Sequence, residues 1–460
     1  VKRILPLIIA LGLAFFLLAL LPGAGAADIS SAPPPLRSSA PPPLRSSDDI
    51  TTYTYLPLVM RAYRPPPPPP VYPNDPYTSD QWGLSKINAP AAWALSKGDG
   101  VLIAVLDTGA DFSHPDLAGK LRSDIDWDFV NDDNDASDDN GHGTHVSGIA
   151  AAATNNSTGV AGVGWNAIIL PLKVMDSGGS GNSFVLARAI QYAADKRARV
   201  INMSLGGAYS CPSHLQEAIN YAYNRGVLLV AAAGNDGRNQ SVFPANCTHV
   251  LGVAATTSSD GRASFSNYGN HVSVAAPGVY IRSTCKGGGY CYMQGTSMAT
   301  PFVAGVAALV YGWRSTYTPD QVASAILDNA QDLGTTGWDQ YYGCGRIDAF
   351  NAVWEGARGN YPVCLGAQVW SAESSQGAEA FGRDAFVPGE VIVALRSEAR
   401  VATLLRRHRL TAYEASMYSL SDVRWIRVRV PVGAEEVFLA RLQADPDVLS
   451  ADLNYRFSAQ

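Results

Sequence analysis

Beyond its first two dozen residues the chain lacks any apolar run long enough to cross a bilayer, any Lys/Arg cluster larger than a short helix face, and any C-x-x-C or H-E-x-x-H motif. The first absence leaves no stable membrane span downstream of the N-terminus. The second, with a formal charge of −6, argues against nucleic-acid binding. The third removes the common cysteine and histidine patterns of zinc sites. Cysteine itself is scarce, six in 460 residues.

What is present begins with Lys2 and Arg3 ahead of an apolar run from Ile4 to Leu21, then Pro22 and the small triplet Ala24-Gly25-Ala26. That is the pattern of a cleaved secretory signal over residues 1–26, with an uncleaved anchor as the alternative. In an exported chain, six cysteines predict three disulfides. Fifteen pairings exist for six cysteines. The expected set is Cys285–Cys291 around the turn "KGGGY", Cys211–Cys247 around one helix–strand unit, and Cys344–Cys364.

Residues 27–72 are proline-rich: "SSAPPPLR" occurs at 30–37 and again at 38–45, and Pro65 to Pro70 is unbroken. Such a stretch favours extended polyproline II and reads as a linker, with "TTYTYLPLVMRAY" inside it as a possible short strand. From 73 to 357 short apolar runs alternate with helical stretches. "GVLIAVLD", "AIILPLKV", "RVINMSL" and "GVLLVAAAGN" predict buried parallel strands; "SFVLARAIQYAADKR" and "LQEAINYAYNR" predict helices. The fold class expected is α/β, a parallel central sheet flanked by helices, with functional groups just beyond the carboxyl ends of the strands. A second loose segment, 358–385, precedes a small α+β unit over 386–460 with the pattern strand, helix, strand, helix, strand.

Three stretches carry chemistry. "AVLDTG" ends a strand on Asp107, "NGHGTHVSGIAAA" opens a helix at His142, and "GTSMATPFVAGVAALV" places Ser297 at the start of a long apolar helix. A serine hydroxyl needs an imidazole to take its proton, and the imidazole needs a buried carboxylate to fix its tautomer. Singly, Asp107 and Ser297 read as helix caps, and His145 beside His142 invites a zinc reading. Their joint occurrence with flanking glycines, in the order Asp, His, Ser, favours a catalytic triad.

Read together, these boxes resemble the subtilases, thermitase-like members above all, over residues 73–355. The resemblance implies a serine endopeptidase acting on polypeptides, with Asp107, His142 and Ser297 as triad. It implies Asn235 of "AAAGNDG" as an oxyanion donor beside the Ser297 N–H. "SGGSG" (177–181) and "SLGG" (204–207) would clamp an extended peptide between them, giving broad specificity with some preference for apolar or aromatic side chains. It also implies Ca2+. Asp75, Asp116 and Asn156, with backbone oxygens of Ala153, Thr158 and Val160, match a tight site. Asp128, Asn131, Asp133 and Asp135 match a weaker one, with Asn131 standing where a carboxylate is usual; a solvated acidic loop is the alternative there.

Residues 386–460 resemble a subtilase propeptide through "PGEVIV" and the closing "ADLNY", although that domain ordinarily precedes the protease. The expectation is that this unit docks as an intramolecular inhibitor with its tail in the cleft. Gln460 would fill S1 with its carboxylate near Ser297 and Asn235, and Phe457 would fill an apolar pocket between the clamp strands. The alternative is an independent binding module; a third reading, a protease-shaped chain without catalysis, is disfavoured by the intact boxes.

Overall fold

The computed structural model describes residues 66–356, 385–396, 401–420 and 423–460. The expectations for the signal peptide, the proline-rich repeats, the segment after residue 356 and Cys364 lie outside those residues.

Alternation along each strand explains the layering. In β1 (Leu102–Asp107), Ile103 and Val105 join one apolar cluster, while Ala104 and Leu106 join another on the opposite face. After β2 (Trp127–Asp128), β3 (Ile168–Lys173) and the short β4 (Ser180–Asn182), the same alternation recurs in β5 (Val200–Met203). Beyond the two-residue β6 (Leu205–Gly206), β7 (Leu228–Ala232) repeats it, with Leu228 and Val230 on one side and Leu229 and Ala231 on the other. With β8 (Val250–Thr256) and β9 (Val274–Pro277) these strands form a parallel sheet in the order β2-β3-β1-β5-β7-β8-β9. A strand buried on both faces must be apolar at every position, which is why these runs are continuous.

Helices cover both faces. Two short ones, α1 (Trp82–Lys86) and α2 (Ala89–Ala92), precede β1. The first cluster is closed by α3 (His142–Ala151). The second is closed by α4 (Ser183–Asp195) and α5 (Ser213–Tyr223). A hairpin of β10 (Ile281–Cys285) and β11 (Gly289–Met293) leads into α6 (Thr296–Trp313), which runs through the first cluster with α7 (Pro319–Leu327) and α8 (Ala349–Glu355). Disulfides join Cys211 to Cys247 and Cys285 to Cys291, as expected. Cys344 is also disulfide-bonded.

The C-terminal part runs β12 (Phe386–Arg396), α9 (Val401–His408), β13 (Thr411–Leu420), β14 (Val423–Arg429), α10 (Glu435–Gln443) and β15 (Val448–Ala459). Its antiparallel sheet has the order β13-β14-β12-β15. Val391, Val393 and Leu395 face α9 and α10 through Leu404 and Leu442, whereas Ile392, Ala394 and Trp425 turn to the cluster of α4 and α5. Strand β13 was not anticipated from sequence. "TAYEASMYSL" lacks a clean two-residue alternation, and the strand is an edge whose register with β14 slips between Ala412 and Met417.

Candidate active site

Asp107 ends β1 at the carboxyl edge of the sheet and is fully buried. Its Oδ1 accepts from the Thr108 N–H at 2.8 Å and from His142 Nδ1 at 2.7 Å. A carboxylate only accepts, so Nδ1 carries a proton and Nε2 is the ring nitrogen left for chemistry. The approach is close because the residue after His142 is glycine. A Cβ on Gly143 would stand 3.1 Å from Asp107 and 2.2 Å from the Gly109 carbonyl.

Buried Asp138 ties the two turns together. It accepts from the Thr108 hydroxyl at 2.9 Å, from the Gly141 N–H at 2.7 Å and from the Thr144 N–H at 2.9 Å. Burial alone would lower the His142 pKa; the charge and hydrogen bond of Asp107, aided by Asp138, outweigh it and raise the value above 6.5.

Ser297 is the second residue of α6. Its Oγ donates to the Ser204 carbonyl at 2.9 Å rather than to His142. Proline at 301 has no N–H for the carbonyl four residues earlier, which is that of Ser297. The Ser204 hydroxyl fills the vacancy, donating to the Ser297 carbonyl at 2.9 Å. Asn235 lies just past β7. Its Oδ1 is held by the Thr296 N–H at 2.9 Å and the Thr296 hydroxyl at 3.0 Å. The oxygen so engaged leaves the amide nitrogen for another partner; a Cβ on Gly295 would stand 3.2 Å from Asn235 Nδ2 and 2.8 Å from the Gln460 carbonyl oxygen.

A model of the Subtilase family (Peptidase S8) matches residues 98–345. The chain is 48% identical to thermitase of Thermoactinomyces vulgaris over 282 residues, covering 61% of this chain and 99% of that one. The chain belongs to the subtilase family. It is a subtilisin-like serine protease. The thermophilic serine proteinase of Bacillus sp. AK1 is 47% identical over 286 residues, covering 61% of this chain and 69% of that protein. A solved protease structure from Pseudoalteromonas arctica aligns with a TM-score of 0.58 at 38% identity, over 61% of this chain and 98% of that one.

In this subtilase β15 of the C-terminal part reaches the Ser297 side of the sheet. Strand β15 lies between β4 and β6, pairing antiparallel with both: Phe457 opposes Gly181, Ser458 opposes Ser180 and Gly206, and Ala459 opposes Leu205. Of the expected clamp stretches, "SGGSG" is a turn at its start and a strand only from Ser180. Phe457 is 4% exposed, and a Cβ on Gly181 would stand 2.5 Å from its ring. The Ser297 N–H donates to the Gln460 carbonyl at 2.8 Å, and the Gln460 N–H donates to Ser297 Oγ at 2.9 Å. Ser297 is fully buried as a result.

Earlier along β15, polar side chains meet the buried N-terminal ends of two helices. Asp452 accepts from the Ser213 hydroxyl and the His214 N–H at the start of α5. Asn454 Oδ1 accepts from the Phe184 N–H at 3.2 Å at the start of α4. Helix N-termini carry unsatisfied N–H groups and partial positive charge, so these contacts are favourable. Trp425 Nε1 donates to Glu217 at 2.8 Å beside them.

The two expected calcium sets differ. Asp75 and Asp116 are both buried and converge on the loop 155–160. Asp75 accepts from the Asn155 and Asn156 N–H groups, and Asp116 from Asn156 Nδ2 and the Val160 N–H. Burial, then the neighbouring Asp75 charge, push the Asp116 carboxyl up. Two buried carboxylates that repel one another fit a hard cation. In the second set Asp133 and Asp135 are exposed and accept from their own loop, and Asn131 turns its amide nitrogen to Asp128 Oδ2 at 2.8 Å. An amide donor meets a carboxylate in both sets, so what separates them is burial: Asp75 and Asp116 are buried, whereas Asp133 and Asp135 face solvent. Among the described residues no group of three or more His, Cys, Asp or Glu side chains is arranged to hold a metal; Asn156 and the carbonyls of Ala153, Thr158 and Val160 would have to complete the first set.

Asp138 and Thr296 escaped the reading of the sequence, and Ser204 was read only as part of the clamp stretch, without its bonds to Ser297. Asp138 sits in a run of acidic residues that looks uniformly solvated, and nothing local distinguishes its buried carboxylate.

Proposed function

We propose that this subtilase is a secreted endopeptidase of broad specificity, held inactive by its own residues 386–460. In this reading 1–26 is a signal peptide, 27–72 a linker, 73–357 the catalytic domain and 358–385 the segment cut on activation. Secretion rests on the composition of the first 26 residues; among the described residues no helix is long and apolar enough to cross a membrane.

Catalysis begins when Ser297 Oγ turns from the Ser204 carbonyl towards His142. Oγ attacks the scissile carbonyl while His142 Nε2 takes its proton, and Asp107 stabilises the imidazolium. The Ser297 N–H and the Asn235 amide hold the developing oxyanion. Protonated His142 then gives its proton to the leaving amine, and water hydrolyses the acyl-enzyme by the same steps in reverse order. Calcium takes no part in these steps; bound by Asp75, Asp116, Asn156 and the carbonyls of 153, 158 and 160, it would stiffen the loop beside α3.

The observation that carries self-inhibition is the pair of hydrogen bonds between Ser297 and Gln460. A strand seated between two clamp strands is bound through its backbone, and tethering raises its effective concentration to the ~mM range. The test is the full chain carrying a recognition site for an unrelated protease within 358–385. Cutting there, then diluting, should raise turnover of a denatured protein many-fold. Equal activity before and after the cut, with the same Ser297 labelling, would end self-inhibition and leave residues 386–460 as a separate binding module.

A further inference from the structure

The oxyanion turn Ala233–Asp236 is gripped from behind by a second segment, Phe265–His271. Fully buried Asn267 donates its N–H to the Gly234 carbonyl at 2.8 Å, and its Oδ1 accepts from the Asp236 N–H at 2.9 Å. These two bonds bracket Asn235 on either side. His271 Nε2 donates to the Ala233 carbonyl at 3.0 Å, one residue earlier. Further on, the Gly237 N–H donates to the Phe265 carbonyl at 2.6 Å and the Tyr268 N–H to the Arg238 carbonyl at 3.1 Å. Gly234 has φ of +104°, and a Cβ there would stand 2.3 Å from Asn267 Nδ2. The turn therefore takes a left-handed conformation with the Asn267 amide packed flat against it.

We propose that Asn267 and His271 are positioning residues for the oxyanion amide: they fix the backbone of residues 233–236, so that Asn235 Nδ2 points where negative charge develops. The inference rests on the role assigned to Asn235 above. The front of the turn is held by Thr296, whose N–H and hydroxyl donate to Asn235 Oδ1 and whose hydroxyl oxygen accepts from the Gly234 N–H at 3.2 Å. Thr296 thus sets the rotation of the amide and ties the Gly234 N–H, and the Ala233 N–H is held by the Val253 carbonyl at 3.0 Å, which leaves the Ala233 and Gly234 carbonyls and the Asp236 N–H to the rear segment. The rear segment alone holds backbone groups on both sides of Asn235, and a hydrogen bond to an oxyanion loses much of its value when its donor is displaced. Burial lowers the His271 pKa to about 4, so the ring is neutral. A neutral ring bonded at Nε2 is a one-donor strut that glutamine can imitate.

The experiment uses the full chain after the cut within 358–385 and dilution, with rates expressed per Ser297 titrated by a fluorophosphonate. Asn267→Ala is expected to lower kcat by about 10- to 100-fold with KM little changed, and to weaken a peptide boronate in parallel. His271→Ala should do the same to a smaller degree, and His271→Gln should restore most of the loss. The deciding measurement is the cycle with Asn235→Ala. Placed on that background, Asn267→Ala should cost less than about 2-fold, since there is no amide left to position. A full 10-fold loss on both backgrounds, or a rise in KM with kcat intact, overturns the proposal. Because Asn267→Ala could fail to fold, His271→Gln against His271→Ala repeats the test with a milder change. A parent chain that stays inactive after that cut would instead indict the endopeptidase reading, not the positioning of Asn235.

Discussion

Gln460 and Ser297 exchange hydrogen bonds in both directions: the Ser297 N–H donates to the Gln460 carbonyl at 2.8 Å, and the Gln460 N–H donates to Ser297 Oγ at 2.9 Å. The first is the bond an acyl group makes as it enters the oxyanion site. The second occupies the hydroxyl oxygen, whose own hydrogen is directed to Ser204. The bond donated to Ser204 must break before Ser297 can donate to His142.

Phe457 is the anchor to remove first. It is 4% exposed, wedged beside Gly181 and packed edge-on against Phe243. Truncating a buried Phe to Ala costs about 3 kcal/mol or more, roughly two orders of magnitude in docking. Phe457→Ala in the full chain is expected to raise basal turnover of a peptide substrate well above the parent. Unchanged basal activity would mean that the tail is not what closes the cleft.

The pH profile follows from the His142 environment. The ring must be neutral to accept the Ser297 proton, so kcat/KM should rise with pH through the His142 pKa. Asp107 and Asp138 raise that pKa above 6.5, which places the limb above the ordinary imidazole value. Asp138→Asn removes one negative charge and should move the limb to lower pH, with a loss of kcat from the loosened turn. A limb that stays in place in this variant would contradict the coupling. Ser297→Ala should abolish both activity and fluorophosphonate labelling.

Calcium should stabilise the fold by binding the native Asp75–Asp116 loop and not the unfolded chain. At a free concentration ~100 times Kd one site contributes ~2.7 kcal/mol. Chelation is expected to lower Tm and speed autolysis, and Asp116→Asn should remove most of the response. Asp133→Asn, in the exposed loop, should leave it nearly intact. A chelator that changes neither quantity would show that no calcium is held.

Acid should destabilise this protein before its carboxylates titrate. Burial pushes His145 and His271 down to about 4 from 6.5. The unfolded chain therefore binds more protons than the native one between those values. The stability each ring contributes is full above pH 6.5 and is lost as pH falls towards 4, about 3 kcal/mol apiece. Calorimetry on Ser297→Ala, which cannot autolyse, should show Tm falling steadily from pH 7 to 4.5. A flat Tm across that window would mean the rings are not buried neutral.

Much of this was legible in the sequence because it is local. Runs such as "LIAVLD" must be buried on both faces, so a parallel sheet with its chemistry at the carboxyl ends follows from their apolar continuity. Asp107, His142 and Ser297 each stand at a strand end or helix start, in boxes whose glycines are needed wherever backbones approach closely. The alternating "ADLNYRFSA" likewise reads as a strand without any partner in view. Only the tertiary structure supplied what depends on residues far apart. It set β15 between Ser180–Asn182 and Leu205–Gly206, and it singled out Asp138 from its acidic neighbours by burying it against Thr108 and Thr144. It also brought Asn267 up behind Asn235. The pattern of a chain reports which groups need burial or a partner, but which partner they find is decided by packing across tens to hundreds of residues.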